Sequence, residues 1–307
     1  MIPLRRLLPG DRVALVAPAS PFAKDELDAG VAEIRRLGFD AVYDESLFAR
    51  DGFMAGTPDV RTQAIHQAWN DPSVAALIAM RGGYGSAHLL PLLDPVLMVR
   101  ARKALIGYSD ITALLLFYLQ HGLAAIHGPM IERRLAAGPS AYDQGSFLRV
   151  MTGVGPAGVM QPETVEVLHE GEAAGTLVGG TLTQMASLLG TPWGFAVPDG
   201  AVVFLEDIGE RPFRIHRLLT QLTQAGVFAR ARAIVFGEFP GCDEPGGRIA
   251  IRDVLREFTA GFHGPVLFGF PSGHTAGPAW TLPFGVQARV VSGPAPMIDI
   301  LEAAVSA

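Results

Sequence analysis

The sequence predicts an α/β protein of two domains: an N-terminal parallel sheet covered by helices on both faces, followed by a mixed, β-rich α/β domain. Three observations carry that reading. Up to about residue 130, short apolar runs alternate with stretches of helical periodicity. Those runs are apolar throughout, as strands buried on both faces of a parallel sheet are. The length of 307 residues, 49% of them hydrophobic, corresponds to roughly two domains at about 150 residues each.

Val13–Ala17 is the first such run, ended by Pro18 and Ser20-Pro21. Asp25–Leu37 then sets Leu27, Val31, Ile34 and Leu37 at helical spacing and stops at Gly38. Phe39–Tyr43 reads as a second strand. Thr57-Pro58-Asp59 is an N-cap with proline at the first helical position, opening a helix to about Asn70. Val74–Met80 is a third strand that enters Arg81-Gly82-Gly83-Tyr84-Gly85. A further helical stretch, a strand Ala104–Ile106, a helix Ile111–Gln120 and a strand Leu123–Ile126 complete a first domain over 1–131. Between 132 and 171, Pro139, Pro156, Pro162 and several glycines interrupt every pattern and predict an irregular connection. The second domain, 172–307, begins with Thr176-Leu177-Val178 and a helix over Thr181–Leu189. The strand Ala201–Leu205, a helix Arg211–Ala225, the strand Ala233–Phe236 and a helix Ile249–Ala260 follow, with short strands such as Val266–Phe268 to the end.

Composition excludes several classes of function. Lys and Arg number 24 against 30 Asp and Glu, a net charge of −6 with no long basic run. A sequence-independent grip on nucleic acid is therefore not expected. Thirty-six glycines and 23 prolines are spread without a period, which predicts many tight turns. The single cysteine, Cys242, excludes an intramolecular disulfide framework and a cysteine-rich metal or iron–sulfur site. Arg5-Arg6 precedes Val13–Ala17, but Pro9-Gly10 interrupts the apolar stretch, which stays short of the about 7–15 residues of a signal peptide. Ala113–Leu119 is far shorter than the 18 or so residues of a membrane helix. A cytoplasmic protein with no membrane or nucleic-acid partner is the expectation.

The chemistry-bearing residues gather at strand ends. Gly107-Tyr108-Ser109-Asp110 lies where a strand gives way to a helix, which lifts the Ser109 hydroxyl above the sheet. The backbone N–H groups that follow could stabilise an oxyanion. The position is that of a nucleophile elbow, although Ile111 stands where Gly-x-Ser-x-Gly has its last glycine; an ordinary N-cap by Ser109 or Asp110 accounts for the same residues. Arg81–Gly85, which lacks both the Gly-x-Gly-x-x-Gly and the lysine-bearing phosphate patterns, is either a plain turn or a loop of backbone donors facing that serine. His66 and His88 sit in helical stretches as packing or surface residues, and His127 and His216 are possible ligand contacts. His274, in Pro271-Ser272-Gly273-His274-Thr275 past a strand, suits a general base, and equally a turn without a role. Glu206 ends an apolar strand and would orient such a base, with Asp207 competing for the part. A metal is less well supported, because no His-Glu-x-x-His stretch or tight His/Asp cluster occurs. Glu210 is read as a charge at a helix N-terminus and not as a ligand.

Taken in order, Arg81-Gly82-Gly83-Tyr84-Gly85, Gly107-Tyr108-Ser109-Asp110, Leu205-Glu206-Asp207-Ile208 and Gly273-His274 resemble the L,D-carboxypeptidases of the S66 serine peptidase family. The resemblance runs from Gly10-Asp11 to Pro283-Phe284-Gly285. It implies an N-terminal Rossmann-like domain, a β-rich C-terminal domain and an active site between them. It also implies Ser109 as nucleophile, His274 as base, Glu206 as orienting acid, and the backbone N–H groups of Gly83 and Asp110 as oxyanion donors. Neither metal nor cofactor is implied, and a homodimer is. The implied activity is peptidoglycan recycling in the cytoplasm: release of terminal D-alanine from murein tetrapeptide, a small peptide substrate. Thr181, where the family usually has asparagine, and His216, where aspartate is more usual, are departures expected on the substrate side. Two alternatives stand beside this reading: an immunity-type peptidase cleaving a toxic peptidyl- or aminoacyl-nucleotide, with Trp193 or Trp280 stacking on the base, and a non-catalytic small-molecule binder.

Overall fold

The computed structural model describes residues 1–306. Strand β1 (Leu4–Arg5) precedes β2 (Arg12–Val16), helix α1 (Lys24–Arg36), β3 (Asp40–Val42), α2 (Pro58–Asn70) and β4 (Val74–Ala79). Helix α3 (Pro95–Ala101), β5 (Ala104–Gly107), α4 (Thr112–Gln120) and β6 (Ala125–His127) follow. Strands β2 to β6 pair in parallel in the order β3-β2-β4-β5-β6. All of β4 is buried, which is why its sequence is apolar without alternation. Thr57 caps α2 by accepting from the Val60 N–H, with Pro58 behind it, as the sequence indicates.

Residues 132–171 are more ordered than their prolines and glycines suggest. They carry helix α5 (Gln144–Thr152) and strands β7 (Gly158–Met160) and β8 (Glu166–His169), both of which enter the second sheet. Asp143 caps α5, and the two strands are short segments recruited by long-range pairing, a signal that local periodicity does not contain. That sheet is built around β9 (Gly171–Thr181), followed in the chain by α6 (Leu182–Ser187), β10 (Ala201–Glu206), α7 (Pro212–Gln224), β11 (Ala231–Phe236), α8 (Ile251–Phe258) and β12 (Val266–Phe268). β9, β10, β11 and β12 run parallel, with β8 closing the edge antiparallel to β12.

The chain then crosses back. β13 (Leu282–Phe284) pairs antiparallel with β6, so the first sheet takes its edge strand from far outside residues 1–131. β14 (Gln287–Ser292) and β15 (Met297–Ile300) return to the second sheet, and β16 (Val305–Ser306) pairs with β1. Helix α4 lies where the two halves meet, packed against β5 and β6 on one side and α6 and β9 on the other. It is buried from Thr112 to Leu119, which accounts for its unbroken apolar sequence. No helix among the described residues is long and apolar enough to cross a membrane.

Candidate active site

Ser109 sits two residues beyond β5, in a single 3-10 turn that runs into α4. Its φ is +62°, in the left-handed region that costs a side-chain-bearing residue roughly 1–2 kcal/mol. Neither Ser109 nor Asp110 caps the helix, so the N-cap reading does not hold. The Asp110 carboxylate is buried and accepts from the Ser86 N–H at 2.8 Å and the Gln184 amide at 3.2 Å, tying the serine turn to the glycine loop and to α6. Two glycines make room for this turn. A Cβ on Gly107 would stand 2.8 Å from Ile111 Cγ2, and one on Gly82 would stand 2.8 Å from Ser109 Cβ and 2.9 Å from its Oγ. The loop Arg81–Gly85 is itself braced by Ser20, whose N–H donates to the Gly82 carbonyl and whose Oγ accepts from the Tyr84 N–H.

Glu206, the last residue of β10, is fully buried and reaches His274 from the second sheet. Its Oε2 accepts from the His274 ring Nδ1–H at 2.7 Å and from the His274 backbone N–H at 3.0 Å, while Oε1 accepts from the Thr181 hydroxyl. Burial alone would raise the Glu206 pKa; His274 beside it overrides that and holds it near about 2. His274 is the reverse case. Burial would lower it, and Glu206 raises it above its ordinary value. Gly273, at φ +76°, lets the loop press onto the acid, since a Cβ there would lie 2.7 Å from Glu206 Cδ.

Two further residues complete the support: Arg134, which the sequence did not mark, and His127, which it offered only as a possible ligand contact. Buried Arg134 donates to the carbonyls of Gly273 at 3.0 Å and Thr275 at 2.8 Å, and to those of Ala141 and Gly277, clamping the histidine loop from both sides. His127 lies behind Glu206 with no exposed surface. Its Nδ1–H donates to Ser272 Oγ, because that hydroxyl is spent on the Trp280 carbonyl. Its Nε2, 3.9 Å from Glu206 Oε1, has no hydrogen-bond partner among the described residues. Burial drives the His127 pKa down to about 4, which keeps the ring neutral beside the ionised acid. Local sequence signals for these two are weak: a basic pair after a turn, and a histidine ending an apolar strand.

Ser109, His274, Gly82, Gly83 and Tyr108 line one cavity of about 110 Å³ at the junction of the two halves, and Arg81, Glu132 and Arg133 line it too. Asp207 does not face His274: its carboxylate accepts from the N–H and hydroxyl of Thr183 and from the Ile208 N–H. Thr181 meets the acid, whereas His216 is exposed on α7 and packs edge-on to Phe258, away from Glu206's partners. Glu210 pairs with Arg214 near the start of α7. Among the described residues no group of three or more His, Cys, Asp or Glu side chains is placed to hold a metal ion.

A strained serine at a strand end, with an acid-paired histidine on the same cavity and two α/β halves around it, is the arrangement of a hydrolase site. The chain belongs to the LD-carboxypeptidase family: residues 13–128 match its N-terminal domain and residues 174–290 its C-terminal domain. It is 35% identical over 285 residues to the murein tetrapeptide carboxypeptidase of Pseudomonas aeruginosa, covering 90% of this chain and 92% of that one. It is also 28% identical to the microcin C7 self-immunity protein MccF of Escherichia coli, over 89% and 88% of the two chains. Among solved structures, muramoyltetrapeptide carboxypeptidase from Oxalobacter formigenes superposes with a TM-score of 0.83 at 28% identity, covering 95% of this chain and 99% of that one. MccF in complex with aspartyl sulfamoyl adenosine superposes with a TM-score of 0.92 at 27% identity over the whole of both chains.

Proposed function

We propose that this peptidase is a serine-type L,D-carboxypeptidase that releases terminal D-alanine from murein tetrapeptide. The observation that carries the reading is the pairing of His274 with buried Glu206 on the cavity that also holds Ser109 at positive φ. In this mechanism Ser109 Oγ attacks the scissile carbonyl carbon while His274 Nε2 takes its proton. Glu206 fixes the tautomer by holding Nδ1–H and stabilises the imidazolium that forms. The backbone N–H groups of Gly83 and Asp110 receive the oxyanion, His274 returns the proton to the departing D-alanine amine, and water repeats the sequence on the acyl-enzyme. No residue placed here calls for a cofactor. The enzyme is assigned to the cytoplasm and to a homodimer, which cell fractionation and sedimentation test.

Incubation with murein tetrapeptide, with D-alanine measured directly, tests the reading: wild type releases it and Ser109→Ala does not. A second reading, cleavage of an aminoacyl-nucleotide, is favoured by the close superposition on MccF. Of the two tryptophans proposed to stack on the base, only Trp280 borders the histidine loop, sharing a cavity with Ala276 and Gly277; Trp193 packs beside His121, past the far end of α4 from Ser109. Cleavage of an aminoacyl sulfamoyl adenosine with no D-alanine release from the tetrapeptide would replace the first reading with the second.

A further inference from the structure

The catalytic cavity contains two cations, and they differ in what they already hold. Arg81 is engaged: its guanidinium lies 2.7 Å from Glu132 and donates to the Pro21 carbonyl. Arg133 is exposed, lines the same cavity, and has no ion pair among the described residues. Glu132 is taken by Arg81, and Glu26, whose carboxylate also feels Arg133, lies outside the cavity lining.

The backbone at Arg133 is built to aim this side chain. The Glu132 N–H donates to the Met80 carbonyl at 2.8 Å, and buried Arg134 is locked to the histidine loop by four carbonyls. Caught between these two anchors, Arg133 takes φ +63° and ψ −18°, a left-handed conformation that glycine would occupy without strain. A strained, exposed arginine on a cavity shared with Ser109 and His274 is a poor choice for packing and a good one for gripping an anion, since its planar fork matches a carboxylate in two hydrogen bonds.

The anion follows from the reaction, and this step rests on the carboxypeptidase reading above. Every substrate of such an enzyme ends in a free carboxylate one residue beyond the scissile carbonyl. We propose that Arg133 binds the C-terminal carboxylate of the substrate peptide and thereby restricts cleavage to the last peptide bond. Arg81 then serves as a positioning residue that occupies Glu132 and leaves Arg133 free for substrate.

Two tetrapeptides identical except for a C-terminal free acid or primary amide test this, with kcat/KM measured for both on wild type, Arg133→Gly and Arg133→Lys. Glycine suits φ +63°, so Arg133→Gly removes the guanidinium without disturbing the turn. Wild type should prefer the free acid by roughly 30-fold or more, the value of a charge-assisted pair. Arg133→Gly should bring that preference to within roughly threefold of unity, and Arg133→Lys should keep an intermediate preference because the charge remains without the fork. A free-acid preference that survives in Arg133→Gly, or its absence in wild type, overturns the inference while leaving the carboxypeptidase reading intact. A wild type that hydrolyses neither peptide overturns that reading, and the inference with it.

Discussion

The serine turn and the histidine loop face one another across a single cavity, and they are held by different physics. Ser109 is fixed by backbone and by volume: a left-handed φ, two glycines with no space for a Cβ, and a buried Asp110 tied to neighbouring amides. His274 is fixed by charge: a buried carboxylate on its ring and backbone, and a guanidinium on the carbonyls around it. Sterics do not titrate and ion pairs do. Apart from Asp110, whose carboxyl pKa is pushed up by burial, the nucleophile's placement should therefore be indifferent to pH, and the base should carry the main pH dependence of the reaction.

The largest effect expected comes from removing either partner of the proton transfer. Ser109→Ala and His274→Ala should each lower kcat by about 10⁵-fold, with the double variant little worse than either, because groups serving one step are not additive. Losses that multiply in the double variant would mean that the two halves act separately. Glu206→Gln should cost less, about 10⁴-fold, since an amide can still hold the ring but cannot stabilise the imidazolium. It also sharpens the comparison. Wild-type activity should rise with pH through a midpoint above 6.5, because only the neutral ring accepts the serine proton and Glu206 raises the pKa of His274. In Glu206→Gln that midpoint should move down; a profile that stays in place would mean that charge does not set the base. On the opposite side of the cavity, Gly82→Ala should displace Ser109 and lower kcat by about 10²-fold with the pH midpoint unmoved. A shifted midpoint in that variant would blur the distinction between the two regions.

The serine side was the more legible in sequence, and for the same reason. A strand, a turn and a helix are local, so Ala104–Ile106 running into Ser109 and Ile111 announces an exposed hydroxyl. Glu206 and His274 were visible as polar residues at the ends of apolar runs. Which of Glu206 and Asp207 faces the base was not, since adjacent carboxylates differ only in the direction the strand turns them. Arg134 and the pairing of β7, β8 and β13 were hidden altogether, and His127 was visible only as a possible ligand contact, not as the neutral ring behind Glu206. Their partners lie far along the chain (Gly273 for Arg134, Glu206 for His127), and no periodicity of residues 127–171 encodes such contacts. His216 was misplaced on the substrate side because its helix was known but not which face of it was turned outward.

The crossing of β13 bears on how the enzyme comes into being. The sheet that presents the serine is completed by Leu282–Phe284, paired with β6 eight residues after His274 has been made. While the ribosome is still adding residues, the strand His127 belongs to has an unpaired edge, and such non-local pairings close slowly. The nucleophile's sheet and the base's loop are thus finished by nearly the same stretch of polypeptide. On the proposed assignment, a nascent fragment long enough to contain Ser109 lacks both its base and its last strand, so peptidase activity is expected only once the chain is nearly whole.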